Sequence, residues 1–287
     1  MPSTVIVYSR EKVVVVFITT LLALVIHGAD PFDDNYSIKY GGNEVMKYGA
    51  DQVTLRLDEY GGGCGIWSKE SFGSGIFTMM IKVPPGYSAG VVSTFYLMEE
   101  GVEREIHDEI DIEFLGDVSG QFVTLQTNMY ANGEGHREER FRLWFDPSAN
   151  FHQYQILWNQ HQIVFYVDRW PIRVFKNNER NQVNYPKQPL RVEASIWDGS
   201  AWASHGLHVN WTSGPFDASY QRFDINGCPA QNNDCNAIKP EYFWNYKVSL
   251  SPKAWRMMEY IRNKYINYDY CKDRKVWPEP PPECATE

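Results

Sequence analysis

Positive charge is scarce in this sequence. Lys and Arg number 27 against 36 Asp and Glu, a net charge of −9 over 287 residues. A chain of that sign repels phosphate backbones, so nucleic acid is excluded as a partner and a neutral ligand is expected. Histidines number 7 and cysteines 5, and no C-x-x-C pair occurs. That leaves little material for a zinc site, and no metal or cofactor is expected. Charged residues are only 22% and apolar ones 43%, a balance that buries a core and excludes a disordered chain. Beyond residue 26, long apolar runs are also missing. The one such run, residues 13–26, falls short of the roughly 20 residues that span a bilayer. Arg10 and Lys12 precede it, and Gly28, Ala29 and Asp30 follow. This order of basic, apolar and small residues reads as a secretory leader, residues 1–29, cut near 28–30. The mature chain is expected to be secreted and free of the membrane.

The cysteines fit an oxidising compartment. Cys64 stands alone, and Cys228, Cys235, Cys271 and Cys284 cluster late. Four cysteines allow three pairings. Short local loops favour Cys228–Cys235 and Cys271–Cys284. Cys64 then reads as a small buried apolar residue. Two glycosylation sequons, at Asn35 and Asn210, become usable only after secretion.

Aromatics are plentiful: Trp 10, Tyr 18 and Phe 15. Most serve a core, yet flat apolar faces with polar tips also suit sugar rings. Between about residues 31 and 225 the chain alternates in short runs, such as 53–57, 75–83, 141–145 and 162–168. Breakers fall at the triple glycine 61–63, at 84–86 and at 146–147. Many short strands with frequent turns predict an all-β sandwich or jelly roll for residues 30–225. One helix is predicted after Ser251-Pro252, an N-cap followed by Pro at the first helical position. Its stripe of Trp255, Met258, Ile261 or Arg262, and Tyr265 can lie on the sandwich. Residues 226–287 read as a C-terminal extension, with the proline-rich 278–282 crossing the surface.

The informative segment is 107–116, HDEIDIEFLG. On a strand, residues i, i+2 and i+4 share a face. Glu109, Asp111 and Glu113 therefore point one way, with His107 extending the row, and Ile110, Ile112 and Phe114 point into the core. A helix would scatter the three acids. Stacked carboxylates raise one another's pKa, so at least one should keep its proton near neutral pH. Glycoside cleavage uses such a row: one carboxylate attacks and a carboxylic acid protonates the leaving oxygen, about 5–5.5 Å apart in retaining enzymes. The two Glu Cα atoms lie roughly 13 Å apart at about 3.3 Å per residue, so their side chains must lean together on a concave sheet. Divalent cation binding is the rival chemistry, but calcium sites draw their oxygens from loops.

The segment HDEIDIEFLG resembles the active-site strand of plant xyloglucan endotransglucosylase/hydrolases of glycoside hydrolase family 16. The likeness extends to QTNMY at 126–130, RE at 137–138 before FRLWFDP at 141–147, and FHQYQILW at 151–158. It continues through SIWD at 195–198, WA at 202–203, YCKD at 270–273 and PPEC at 281–284. The resemblance implies a β-jelly roll whose curved sheet forms an open cleft, and a monomeric retaining enzyme acting on xyloglucan donor and acceptor chains in the cell wall. It implies Glu109 as nucleophile, Glu113 as acid and base, and Asp111 as their assistant. It implies glucan contacts from Gln126, Thr127 and Asn128, from His136, Arg137 and Glu138 in the acceptor half, and from Ala201, Trp202 and Gly206. The chain departs from the family where Asp117 stands at a usual sequon, and at 61–67, where GGGCGIW places Trp67 near the donor half. In the tail, Val276 stands where the family has a basic residue. No long insertion occurs at 176–189, which favours transfer over hydrolysis. A hydrolytic endo-β-glucanase on xyloglucan or mixed-linkage glucan is the alternative. A glucan-binding lectin is the non-enzyme alternative, though binding alone needs no acid row.

Overall fold

A computed structural model describes residues 31–103, 105–119, 122–232 and 234–285, together with the backbone of a strand pair, Thr4–Ser9 with Lys12–Phe17. The remainder of the expected leader, with its cleavage site, lies outside the described residues. After it come β1 (Tyr36–Tyr40), β2 (Val45–Tyr48), β3 (Gln52–Leu57), β4 (Cys64–Lys82), β5 (Val91–Glu99), β6 (Glu109–Leu115), β7 (Thr124–Tyr130) and β8 (Glu139–Arg142). Then follow β9 (His152–Trp158), β10 (Gln162–Val167), β11 (Trp170–Lys176), β12 (Leu190–Asp198), β13 (Phe216–Gln221), β14 (Ile225–Pro229), the helix α1 (Pro252–Tyr265) and β15 (Ile266–Asp269).

The ladders of β1–β15 are antiparallel and, separate from the pair at 4–17, join into one 15-stranded sheet, whose main path runs β11-β10-β9-β4-β12-β5-β6-β7-β8-β15. The sheet folds into two layers through β4. The first half of β4 pairs with β12 and β1, and its second half with β9, β14 and β13. Bends of this kind let one strand serve both layers. Glycine permits it: a Cβ on Gly75 would lie 2.6 Å from the Phe77 ring and 2.7 Å from the Asn226 carbonyl. Glycine inside the segment thus bends one long strand, and β4 extends well beyond the expected run at 75–83. The run at 141–145 is shorter than expected, because β8 stops at Arg142.

The core lies between the layers. Phe95, Leu97, Ile110, Ile112 and Phe114 face Met79, Ile81, Tyr154 and Ile156, all nearly inaccessible. Phe114 meets Tyr154 edge to face at 4.7 Å, a favoured aromatic arrangement. This packing holds the acid strand from behind.

The helix forms as the sequence predicts. Ser251 Oγ accepts from the Ala254 N–H at 3.3 Å, Pro252 opens the first turn, and Arg262 and Lys264 sit in the last. Met258 and Trp255 pack on Leu157, Val164 and Val174, on the outer face of β9–β11 and away from the acid row. Ser251→Ala is expected to cost about 1 kcal/mol in a urea melt, because it orphans an N-terminal donor. Among the described residues, no helix is long and apolar enough to cross a membrane. Both expected disulfides are formed, Cys228–Cys235 and Cys271–Cys284, and Cys64 is free and buried. The extension does more than cross the surface: β15 adds an edge strand beside β8.

Candidate active site

The acid strand β6 lies between β5 and β7, and the register fixes its neighbours. Glu113 sits between Thr94 and Gln126, Asp111 between Tyr96 and Asn128, and Glu109 between Met98 and Tyr130. All nine residues line a cleft of about 740 Å³. Strand alternation thus delivers the row to one concave surface while its apolar partners enter the core.

A hydrogen-bonded chain gives the three acids different characters. Gln126 Nε2 donates to Glu113 Oε2 at 2.6 Å, and Gln126 Oε1 accepts from Arg140 Nε at 2.6 Å. A guanidinium can only donate, so the amide is locked with its NH₂ toward Glu113. Burial pushes the Glu113 carboxyl up to about 7, with the Gln126 hydrogen bond opposing and the Glu109 charge adding. Asp111 lies well above the usual carboxylate range, first through burial and then through the charges of Glu109 and Glu113. Its side chain hydrogen-bonds Glu109. Glu109 Oε2 also meets His107 Nε2 at 2.7 Å, and the His107 ring stacks on Tyr130. Glu109 is thus hydrogen-bonded to both Asp111 and His107, and the Glu113 carboxyl, at about 7, gains its proton as the pH falls below neutral.

Asp108 plays a part the sequence did not reveal. Its buried carboxylate accepts from the backbone N–H groups of Asn132, Lys187 and Gln188 at 2.8, 2.8 and 3.0 Å. It ties two loops to the start of β6. At the other end, a Cβ on Gly116 would lie 1.9 Å from the Ser88 carbonyl, so only glycine fits.

Gln126, Asn128, Glu138 and Trp202 line the cleft as expected from the sequence. Trp202 is 40% exposed and its ring lies 6.0 Å from Trp197, which also lines the cleft. Other expected contacts are placed elsewhere. Thr127 has the opposite parity on β7, so it faces the interior, where its Oγ1 accepts from Arg173 at 3.0 Å. Arg137, in the loop before β8, also turns away: its Nε donates to Glu283 Oε1 at 2.7 Å, in a buried ion pair with the tail. His136 has φ 61° and an exposed side chain, and its carbonyl accepts from Trp277 Nε1. Ala201 and Gly206 are exposed on the loop after β12, outside the cleft lining. Trp67 is half-buried and shares the face of the acid row through the cross-strand neighbours Glu193 and Tyr96, beside the cleft-lining Lys39. Its Nε1 donates to Ser37 Oγ at 3.0 Å, and the Lys39 ammonium and Arg191 guanidinium lie over its ring at 5.3 and 4.6 Å. Asn210 is exposed, whereas the Asn35 amide donates to the Phe223 carbonyl.

The cleft also holds residues that sequence reasoning missed: Lys39, Tyr40, Tyr96, Met98, Tyr130 and Arg140. On β5 the run TFYLM shows no polar contrast between faces, so periodicity gives no signal there. Arg140 was within reach, lying two residues after Glu138 on one face.

Comparison with known proteins resolves the family. The profile of Glycosyl hydrolases family 16 matches residues 32–213, and that of the Xyloglucan endo-transglycosylase (XET) C-terminus matches residues 239–284. The chain belongs to glycosyl hydrolases family 16. It is 46% identical over 265 residues to Xyloglucan endotransglucosylase/hydrolase protein 2 of Arabidopsis thaliana, covering 90% of this chain and 89% of that protein. It is 46% identical over 262 residues to protein 3 of the same series and organism, covering 88% of each. At that identity it belongs to the xyloglucan endotransglucosylase/hydrolase group of family 16. The fold is shared with the solved β-glucanase of Bacillus licheniformis, with TM-score 0.55 and 23% identity over 68% of this chain and 94% of that one.

Proposed function

We propose that this family 16 member cleaves the β-1,4-glucan backbone of xyloglucan with retention and passes the fragment to a second xyloglucan chain, in the plant cell wall after secretion. The carrying observation is the asymmetry of the acid row. Burial lifts the Glu113 carboxyl to about 7, so it can give a proton at mildly acidic pH, while Glu109 is hydrogen-bonded to Asp111 and His107. Two carboxyl groups in different surroundings, one placed to give a proton and one to attack, are what acid-assisted nucleophilic displacement needs.

In the proposed reaction the Glu109 carboxylate attacks the anomeric carbon and forms an ester to the sugar. The bond to the leaving O4 breaks, and that oxygen takes the Glu113 proton. Glu113, now charged, removes a proton from the O4 hydroxyl of an acceptor chain, whose oxygen displaces Glu109. Asp111 holds the nucleophile in place through both steps. The donor chain lies over β1, β4 and β12, and the acceptor over β7 and β8, with Trp202 and Trp197 presenting apolar faces to sugar rings. Immobilising the acceptor there raises its effective concentration against water.

A fluorescent xyloglucan-oligosaccharide acceptor tests the reading, with xyloglucan, mixed-linkage glucan and cellulose as donors. Label should enter polymer fastest with xyloglucan. Rapid release of reducing ends with no incorporation of label would instead make the protein a hydrolase.

A further inference from the structure

A second charged cluster lies along the cleft wall, on the β1 side of the acid row. Its centre is Glu193 on β12, which is 1% exposed. Both carboxylate oxygens accept from Lys39 Nζ, at 2.8 and 2.7 Å, and Oε2 also accepts from the Tyr96 hydroxyl at 2.6 Å. Tyr96 is the cross-strand neighbour of Glu193 on one side and of Asp111 on the other. Burial, and then the Glu193 charge, hold Tyr96 far above its ordinary range, so it stays a phenol and a donor. The indole of Trp67 lies under the Lys39 ammonium and fixes its approach.

This cluster is an expensive way to join β1, β12 and β5. Desolvating a carboxylate costs several kcal/mol, and a buried ion pair is often no more stable than apolar residues of the same volume. What apolar residues could not supply is a donor in the cleft. An ammonium has three N–H groups. Two go to Glu193, and Lys39 itself lines the cleft beside Tyr40. Among the described residues no other acceptor is bonded to the ammonium, and the third N–H is left for a ligand. A neutral sugar offers hydroxyl and ring oxygens to such a donor, and the adjacent Tyr40 offers a ring face.

We propose that Lys39 is a specificity-determining residue of the donor half, donating to an oxygen of the bound glucan, and that Glu193 is its positioning residue. This rests on the functional reading above. A retaining enzyme follows ping-pong kinetics, so donor and acceptor KM are measured separately. Lys39→Met should raise the donor KM by about 10- to 100-fold, the range of a hydrogen bond to a charged group. The acceptor KM, and the rate at saturation with both, should be unchanged. Lys39→Arg should recover most of the loss, and Glu193→Gln should raise the donor KM by a smaller factor. A wild-type donor KM in Lys39→Met, or donor and acceptor KM rising together with a lowered Tm, would overturn the assignment. Should Lys39→Met fail to fold, the nearly isosteric Glu193→Gln decides by the same donor KM. A wild-type protein inactive on every β-glucan would overturn the functional reading along with the inference, whereas an active wild type with an indifferent Lys39 overturns the inference alone.

Discussion

Glu109→Ala should lose at least about 10⁴-fold in turnover, since a missing nucleophile removes the covalent route. Glu113→Gln should lose about 10²–10⁴-fold, the usual contribution of a general acid and base. The pH profile separates the two roles. Glu113 must hold its proton for the first step, and its carboxyl lies at about 7. Donor cleavage should therefore fall as pH rises through about 7. Gln126 donates to the charged form and so holds this value down. Gln126→Ala should move the alkaline limb to higher pH, and a limb that stays or moves lower would refute Glu113 as the acid. Folding gives an independent check. The folded pKa is raised above the ordinary 4.5, so the proton's contribution to stability is complete below pH 4.5 and lost as pH rises through about 7. The shift corresponds to roughly 3 kcal/mol. Glu113→Gln should therefore melt above wild type at pH 8, with the advantage shrinking toward pH 4. A dead but stabilised variant is the signature of a strained catalytic group.

The second large effect is structural. Glu139 is fully buried on β8, between Glu138 and Arg140, which line the cleft. Its carboxylate receives the Arg262 guanidinium from α1, and the fully buried Arg173 of β11 lies 3.7 Å away. Arg262 also reaches Asp269 on β15 at 3.5 Å. One carboxylate thus joins the cleft sheet, the opposing layer and the extension. Glu139→Ala leaves two guanidinium groups without their shared partner, and breaking a buried pair costs about 3–5 kcal/mol. Denaturant unfolding should show that loss, with activity falling below the melting midpoint. A change under 1 kcal/mol would mean that neither Arg depends on Glu139.

The acid row was legible because it alternates chemically: E-I-D-I-E-F can be a half-buried strand and little else. The helix was legible from its cap, and the disulfides from loop length. Other features were hidden for definite reasons. The long β4 showed only its second half, the run at 75–83, because Gly65, Gly73 and Gly75 interrupt the alternation of the first. Thr127 sits next to cleft residues in sequence, but one step along a strand reverses the face, and Arg137 lies in a loop, where no alternation applies. Lys39 and Glu193 lie 154 positions apart, and neither carries a local pattern. Asp108 stands inside the conspicuous motif, yet its partners come from loops that no spacing rule reaches.

The tail has a practical consequence for making the protein. Glu283 is ion-paired to Arg137, and its neighbour Cys284 is bonded to Cys271 across 13 residues. A loop of that length is worth about 3 kcal/mol. A bacterial cytosol keeps thiols reduced, so material produced there should yield a loosened C-terminus beside β8, whereas periplasmic or yeast secretion should yield the closed form. The fifth cysteine should not scramble the product once folded: burial lifts the Cys64 thiol to about 12, leaving almost no thiolate to attack a neighbouring bridge.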